Sequence, residues 1–104
     1  MTPSASVTTL TAGWERHFKL EWTVESQPGG VQLRGFVTST SGARAEPMRL
    51  LAQALDASGA VVGQRIGWIA GGVGGFQRAY FELSGLPSAE RYRVSVWDYT
   101  FQQS

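Results

Sequence analysis

The stretch Phe18-Lys-Leu-Glu-Trp-Thr-Val-Glu25 decides the fold class of this chain. Apolar side chains stand at every second position of the stretch, and charged or hydroxyl side chains fill the positions between them. Successive side chains of a β-strand point to opposite faces, so this alternation is typical of a strand with one face on a core and the other in water. The stretch therefore predicts a half-buried antiparallel strand.

Five more strand-like segments follow it, and turn signals separate them about every 10 to 15 residues. They cover residues 31–38, 48–56, 60–69, 76–83 and 92–101. The segment 48–56 is rich in residues that favour a helix, but its length and flanks favour a strand, which is our interpretation. The spacing predicts an all-β fold, a single antiparallel β-sandwich of six to seven strands similar to immunoglobulin and fibronectin type III domains.

The connections between these segments carry their own signals. The run Ser39 to Pro47 reads as a loop that Pro47 closes. The run Asp56-Ala-Ser-Gly59 reads as a tight turn, with Asp56 bonding back to the backbone and Gly59 at a positive φ. The glycine-rich run Gly67 to Gly75 is followed by neither a helix nor a lysine, so we interpret it as a mobile hairpin loop and not as a phosphate site.

Composition bounds both the domain count and the chemistry. The chain has 104 residues, no cysteine, one histidine and a net charge of +1. These counts predict one domain with no disulfide, no metal site, no cofactor and no enzymatic activity. The near balance of charge argues against nucleic acid as a partner, and no apolar run is long enough to predict a membrane span. We expect a flexible N-terminal segment at residues 1–12 and a single β-sandwich domain at residues 13–104.

The order of segments resembles a family of small bacterial seven-stranded sandwiches, the FxLYD domains, related in shape to fibronectin type III. The likeness rests on Gly35-Phe-Val37, the hairpin from Ala54-Leu-Asp56 to Gly59-Ala-Val-Val-Gly63, Phe81-Glu-Leu83, and Leu86-Pro87 leading into Tyr92-Arg-Val-Ser-Val96. Of the Phe-x-Leu-Tyr-Asp signature only Asp56 is present, since Ala52, Ala54 and Leu55 stand at the other positions. The resemblance implies the sandwich fold and a place in an exported or lipid-anchored bacterial protein.

The sequence is compatible with two cellular locations. The segment Met1 to Thr11 lacks the basic start and apolar centre of a signal peptide. The chain is therefore either cytoplasmic, or the mature part of a periplasmic or cell-envelope protein whose targeting segment was removed. The absence of cysteine fits both.

The aromatic side chains divide between the two faces of the predicted strands. Those expected in the core are Phe18, Trp22, Phe81 and Tyr92. Large apolar side chains on the opposite faces mark an interface. The candidate interaction surface comprises Phe36, Trp68, Tyr80, Arg93, Trp97, Tyr99 and Phe101. A bulge near Asp98 is the alternative interpretation, because it would turn Tyr99 and Phe101 into the core.

Two functions fit this surface. A non-catalytic protein-interaction or self-association module is the leading hypothesis, since aromatic and arginine side chains are enriched at interface cores. A carbohydrate-binding module is the alternative, with a glycan stacked on Trp68, Trp97 and Tyr99. Its polar contacts would come from Gln64, Gln77, Glu82 and Asp98.

Overall fold

A computed structural model describes residues 13–102 of the chain. A short 3-10 turn at Trp14–Arg16 precedes six strands. The strands are β1 (Phe18–Gln27), β2 (Gly30–Ser39), β3 (Ala45–Leu55), β4 (Val61–Trp68), β5 (Arg78–Leu86) and β6 (Arg91–Phe101). The predicted all-β fold is confirmed, with six strands in the described residues. The predicted flexible segment at residues 1–12 lies outside them.

The strands form two antiparallel sheets of three strands each. Sheet A has the order β1-β2-β5, and sheet B has the order β4-β3-β6. Strand β1 pairs with β2 along its whole length, from Phe18 opposite Ser39 to Gln27 opposite Gly30. The alternation predicted for residues 18–25 thus gives sheet A one face toward sheet B and one toward solvent.

The core lies between the two sheets and is apolar. It contains Phe18, Val31, Leu33, Val37, Ala45, Met48, Leu50, Ala52, Ala54, Ile69, Val73, Phe81, Leu83, Leu86, Val94 and Val96. Strand β3 is buried on both faces, because Leu51 and Gln53 are also shielded from solvent although they alternate with core residues. A strand buried on both sides loses the alternating pattern, which explains the helix-like composition of this segment.

Two predicted connections are corrected by the structure. Strand β3 begins at Ala45, so Pro47 lies within the strand and does not close a loop. The pairing of β3 with β6 is irregular between Ala45 and Met48. A proline lacks the backbone N–H that a regular ladder needs, and such an irregularity accommodates it.

The glycine-rich connection is also not a hairpin, because β4 and β5 belong to different sheets. Its middle is bound to the sandwich: Val73 is buried and exchanges two backbone hydrogen bonds of 2.9 Å with Ala45. Gly72 has a φ of +65°, and a Cβ there would overlap the carbonyl oxygen of Ala45. Glycine is required at this close approach.

The predicted turn between β3 and β4 is confirmed. The Oδ1 atom of Asp56 accepts hydrogen bonds from the backbone N–H groups of Ser58 and Ala60, both at 2.9 Å, and from the Ser58 hydroxyl at 2.6 Å. Gly59 adopts a φ of +90°. The hydroxyl of Ser58 and then the N–H of Ala60 lower the pKa of Asp56, because both bond to the charged form.

This turn predicts an acid dependence of stability. The lowered pKa means that the unfolded chain binds the Asp56 proton more readily than the folded chain does. The stabilisation by Asp56 is therefore present above its ordinary pKa of about 4 and is lost as the pH falls through the lowered value. Urea unfolding between about pH 7 and pH 2 should show a smaller acid loss of unfolding free energy for Asp56→Asn than for the wild type. If the unfolding free energies of the variant and the wild type fall equally with pH, Asp56 does not stabilise the turn through its charge.

Candidate functional site

The predicted surface residues lie in three separate places. Phe36 and Tyr80 share the outer face of sheet A. Trp68 and Arg93 lie on the outer face of sheet B. Tyr99 and Phe101 turn toward the core at one end of β6, and Trp97 is half-buried where that strand is irregular. One continuous surface of all seven residues does not exist.

A bulge in β6 explains why Tyr99 and Phe101 leave the predicted surface. Asp98 pairs with Arg49 and Val96 pairs with Leu50, so Trp97 is an extra residue in the ladder. The extra residue reverses the alternation beyond it. Tyr99 consequently lies opposite Met48 and Phe101 opposite Ala45, and both partners are fully buried. The alternative interpretation from the sequence, a bulge near Asp98, is confirmed.

The inward-turned rings form a cluster with the residues that begin β1. We call His17, Phe18, Tyr99 and Phe101 the aromatic rim. Ring centroids are 4.9 Å apart for Phe18 and Tyr99, 5.1 Å for Tyr99 and Phe101, and 5.1 Å for His17 and Phe101. Edge-to-face contacts at these distances stabilise a fold beyond their buried area. The single histidine is thus a packing partner of these rings.

On the outer face of sheet A, two aromatic rings are held by arginines. Phe36 and Tyr80 lie opposite each other with centroids 5.6 Å apart, and the guanidinium of Arg78 lies 4.2 Å over the Phe36 ring. Arg34 donates to the Tyr80 hydroxyl at 2.8 Å and to both carboxylate oxygens of Glu25. The bonds to Tyr80 and then Glu25 raise the pKa of Arg34.

An open depression of about 470 Å³ lies beside these rings. It is lined by Glu21, Trp22, Thr23, Glu25, Arg34, Gly35, Phe36 and Tyr80. Gly35 forms part of its floor, and a Cβ at this position would lie 2.7 Å from the Cα of Trp22 on β1. The two strands can approach this closely because position 35 is a glycine. We call this set of residues the Phe36 depression.

The outer face of sheet B carries an exposed tryptophan on an ordered support. Trp68 is 66% exposed and Ile66, two residues before it, is 44% exposed. Arg49 lies opposite Trp68 in the ladder, with its guanidinium carbon 5.0 Å from the ring centroid. Asp98 in turn lies opposite Arg49 and accepts hydrogen bonds from its Nε and Nη2 atoms. We call Arg49, Ile66, Trp68 and Asp98 the Trp68 surface.

Asp98 holds the Arg49 side chain against the Trp68 ring. Hydrogen bonding to Asp98 raises the pKa of Arg49, so the guanidinium stays charged. Ile66 lies opposite Leu51, which is fully buried although it belongs to the outer face and not to the core between the sheets. The Trp68 surface therefore adjoins the buried Leu51 on the outside of sheet B.

A polar row adjoins this surface. Arg93 donates from Nε and Nη2 to the Gln53 side-chain oxygen at 3.0 and 2.8 Å, and the Gln53 amide donates to the Gln64 side-chain oxygen at 3.2 Å. Arg93 is thus engaged in holding a buried glutamine, since Gln53 is 1% exposed. Arg93 is itself exposed on the outer face of sheet B, so its predicted place in the interaction surface stays a prediction.

Sequence reasoning missed two members of the Trp68 surface, Arg49 and Ile66, and named Asp98 only as a polar contact of the alternative glycan site. Arg49, Ile66 and Asp98 come together with Trp68 only through the pairing of β3 with both neighbours. The tight turn at Asp56 was a signal for the β3–β4 hairpin. However, extra residues at Val62 and Trp97 shift both registers. The bulge near Asp98 was only an alternative interpretation of the sequence, and none was predicted at Val62.

Comparison of the chain with protein-family models, curated proteins and solved structures finds no match in any of the three. Within residues 13–102, no three side chains of the metal-binding types cluster. The part of the chain that the structure describes contains no helix that is long and apolar enough to cross a membrane.

Unfolding measurements can test whether Tyr99 and Phe101 belong to the core while Trp68 belongs to the exposed surface. Tyr99→Ala and Phe101→Ala should each lower the free energy of unfolding by about 2 kcal/mol, somewhat less than for a fully buried aromatic. Trp68→Ala should lower it by less than about 1 kcal/mol, since it loses only an exposed ring and its contact with Arg49. Urea denaturation measures all three. Equal losses for the three variants would show that Trp68 is a structural residue.

Proposed function

We propose that this chain is a non-catalytic protein-interaction or self-association module that contacts its partner through the Trp68 surface. The observation that carries the proposal is the exposure of Trp68 beside Ile66 on one face of an edge strand. Tryptophan and arginine dominate the binding energy of many interfaces, and their burial by a partner removes a large apolar area from water.

The support beneath the indole strengthens this proposal. Arg49 is held by Asp98 and lies over the Trp68 ring before any partner arrives. A side chain that is ordered in advance loses less entropy on binding. The rings of the Phe36 depression are less exposed, because Tyr80 is 46% exposed and Phe36 is half-buried, whereas Trp68 is 66% exposed.

The likeness to FxLYD domains suggests the wider setting. We propose that the module belongs to a bacterial protein, in the periplasm or cell envelope if a targeting segment was removed and in the cytoplasm otherwise. The two-sheet antiparallel sandwich is compatible with that family.

The proposal is tested by replacing the exposed ring. Trp68→Ala should abolish association that the wild type shows, either as a mass increase in light scattering over a concentration series or as capture of a defined protein by the immobilised chain. Phe76→Ala is the matched control, because Phe76 is 74% exposed but lies outside the Trp68 surface. Association that survives Trp68→Ala, or that Phe76→Ala abolishes equally, would contradict the proposed role.

Carbohydrate binding is a second candidate, and the Phe36 depression favours it. The sequence predicted a glycan platform of Trp68, Trp97 and Tyr99. Tyr99 does not take part in it, because it packs in the aromatic rim against the core. The Phe36 depression instead brings Tyr80 together with the carboxylates of Glu21 and Glu25. Glycan sites combine a ring that stacks on a sugar with polar groups that bond its hydroxyls.

Soluble polysaccharides should then change the fluorescence of Trp22, which lines the depression, in the wild type but not in Tyr80→Ala. A glycan array reports the same binding without relying on fluorescence. Trp68→Ala should bind as the wild type does. If neither method detects binding to any glycan, the carbohydrate hypothesis is wrong.

A further inference from the structure

The Phe36 depression contains one charged side chain that the fold does not use. Glu21 is exposed, lines the depression and lies directly opposite Phe36 on the outer face of sheet A. Among the hydrogen bonds and ion pairs of residues 13–102, none involves the Glu21 carboxylate. This carboxylate is therefore available to a ligand that enters the depression.

The charges that line the depression leave it negative. The charged lining residues are Glu21, Glu25 and Arg34. The Glu25 carboxylate accepts hydrogen bonds of 2.9 and 2.8 Å from Nη1 of Arg34, so these two charges offset each other. Lys19 and Arg78 also stand on this face of the sheet, but they do not line the depression. The charge of Glu21 is left unbalanced there, and it attracts a cation.

The Arg34 guanidinium is shielded from such a cation by a second carboxylate. Its Nε atom lies 3.8 Å from Oε2 of Glu82 and donates to the Tyr80 hydroxyl at 2.8 Å. Charge-assisted bonds of this kind hold the guanidinium in the wall of the depression. Arg34 thus stands between two carboxylates, Glu25 and Glu82, and its group carries a net negative charge.

The rings of the depression suit an ammonium group. Phe36 and Tyr80 both line it. The Phe36 ring already accepts one cation, since the guanidinium carbon of Arg78 lies 4.2 Å from its centroid. Because Arg78 does not line the depression, it leaves the side of the ring that faces the depression open. Aromatic faces attract ammonium ions through the ring quadrupole, and they recognise quaternary ammonium ligands in this way.

We propose that the Phe36 depression binds an organic ammonium ion, with the cation held between the Glu21 carboxylate and the rings of Phe36 and Tyr80. The volume of about 470 Å³ falls within the range of small-molecule sites, about 300–1,000 Å³. This inference goes beyond the proposed function, because the Trp68 surface lies on the other sheet.

Two kinds of molecule supply the required chemistry. A small methylated ammonium ion such as choline surrounds its charge with methyl groups, and a glucosamine unit carries an ammonium group on a sugar ring. Both present a positive charge next to a C–H surface, which is the combination that Glu21 and Phe36 recognise. A neutral sugar stacks on the same rings but gains nothing from the Glu21 charge.

Pairs of probes that differ mainly in charge test the proposal. Choline is compared with 3,3-dimethylbutan-1-ol, in which carbon replaces the charged nitrogen, and a β-linked glucosamine trisaccharide is compared with cellotriose. Binding is followed by the backbone amide signals of Gly35 and Phe36 in a nitrogen–proton correlation spectrum, at about pH 6, where the amino groups are charged. At least one cation should bind about fivefold more tightly than its neutral counterpart, since the charge contributes both the contact with the rings and the ion pair. High salt should weaken the binding.

Substitutions assign the charge and the ring. Glu21→Gln should lower the affinity for the cation about threefold, as expected for an exposed ion pair. Phe36→Leu should lower it as well, because the ring face is lost. Glu15→Gln is the matched control, since Glu15 is also exposed but belongs to the turn before β1, outside the depression. This variant should bind the cation as the wild type does.

The outcomes separate this inference from the other proposals. Binding of choline alone or of the glucosamine trisaccharide alone supports it and identifies the source of the ammonium group. Binding of neither cation, or binding that Glu21→Gln leaves unchanged, overturns it. Equal binding of the glucosamine trisaccharide and cellotriose, without binding of choline, also overturns it and supports the carbohydrate candidate. Association through Trp68 is measured separately and is unaffected by any of these results.

Discussion

Strand β3 is the constraint on which the rest of this structure depends. It is hydrogen-bonded on both sides, to β4 and β6, and buried on both faces. Leu50 and Ala52 fill the core between the sheets, while Leu51 lies on the outer face and is equally shielded from solvent. An apolar residue on an outer face needs neighbours that cover it, and Ile66 on β4 lies directly opposite. The surface around Trp68 thus begins as a consequence of how β3 is buried.

The alternation in residues 18–25 predicted β1 correctly because one face of that strand meets the core and the other meets water. The same alternation correctly predicted that Phe36 on β2 and Tyr80 on β5 point outward. It was least informative for β3, since a strand buried on both faces has no alternation to detect. There the length and the flanking turn signals, more than the pattern, indicated a strand.

The position of the candidate site was harder to predict than the fold. A single extra residue at Trp97 reverses the faces of Tyr99 and Phe101, and the sequence raised this bulge only as an alternative. Arg49 and Asp98 are 49 positions apart in sequence and meet Trp68 only when both registers of β3 are known. The strand register decides which side chains of three neighbouring strands lie next to each other. A bulge shifts that register by one residue, and the local sequence does not fix where the bulge occurs.

In the proposed function, association uses the Trp68 surface and leaves the rest of the sandwich unchanged. The four tryptophans make this measurable, since Trp14, Trp22, Trp68 and Trp97 lie at different places and each gives one indole N–H signal in a nitrogen–proton correlation spectrum. On titration with itself or a partner, the Trp68 signal should shift most, while those of Trp14 and Trp22 stay in place. A shift led by Trp22, or none at Trp68 while association proceeds, would contradict the account.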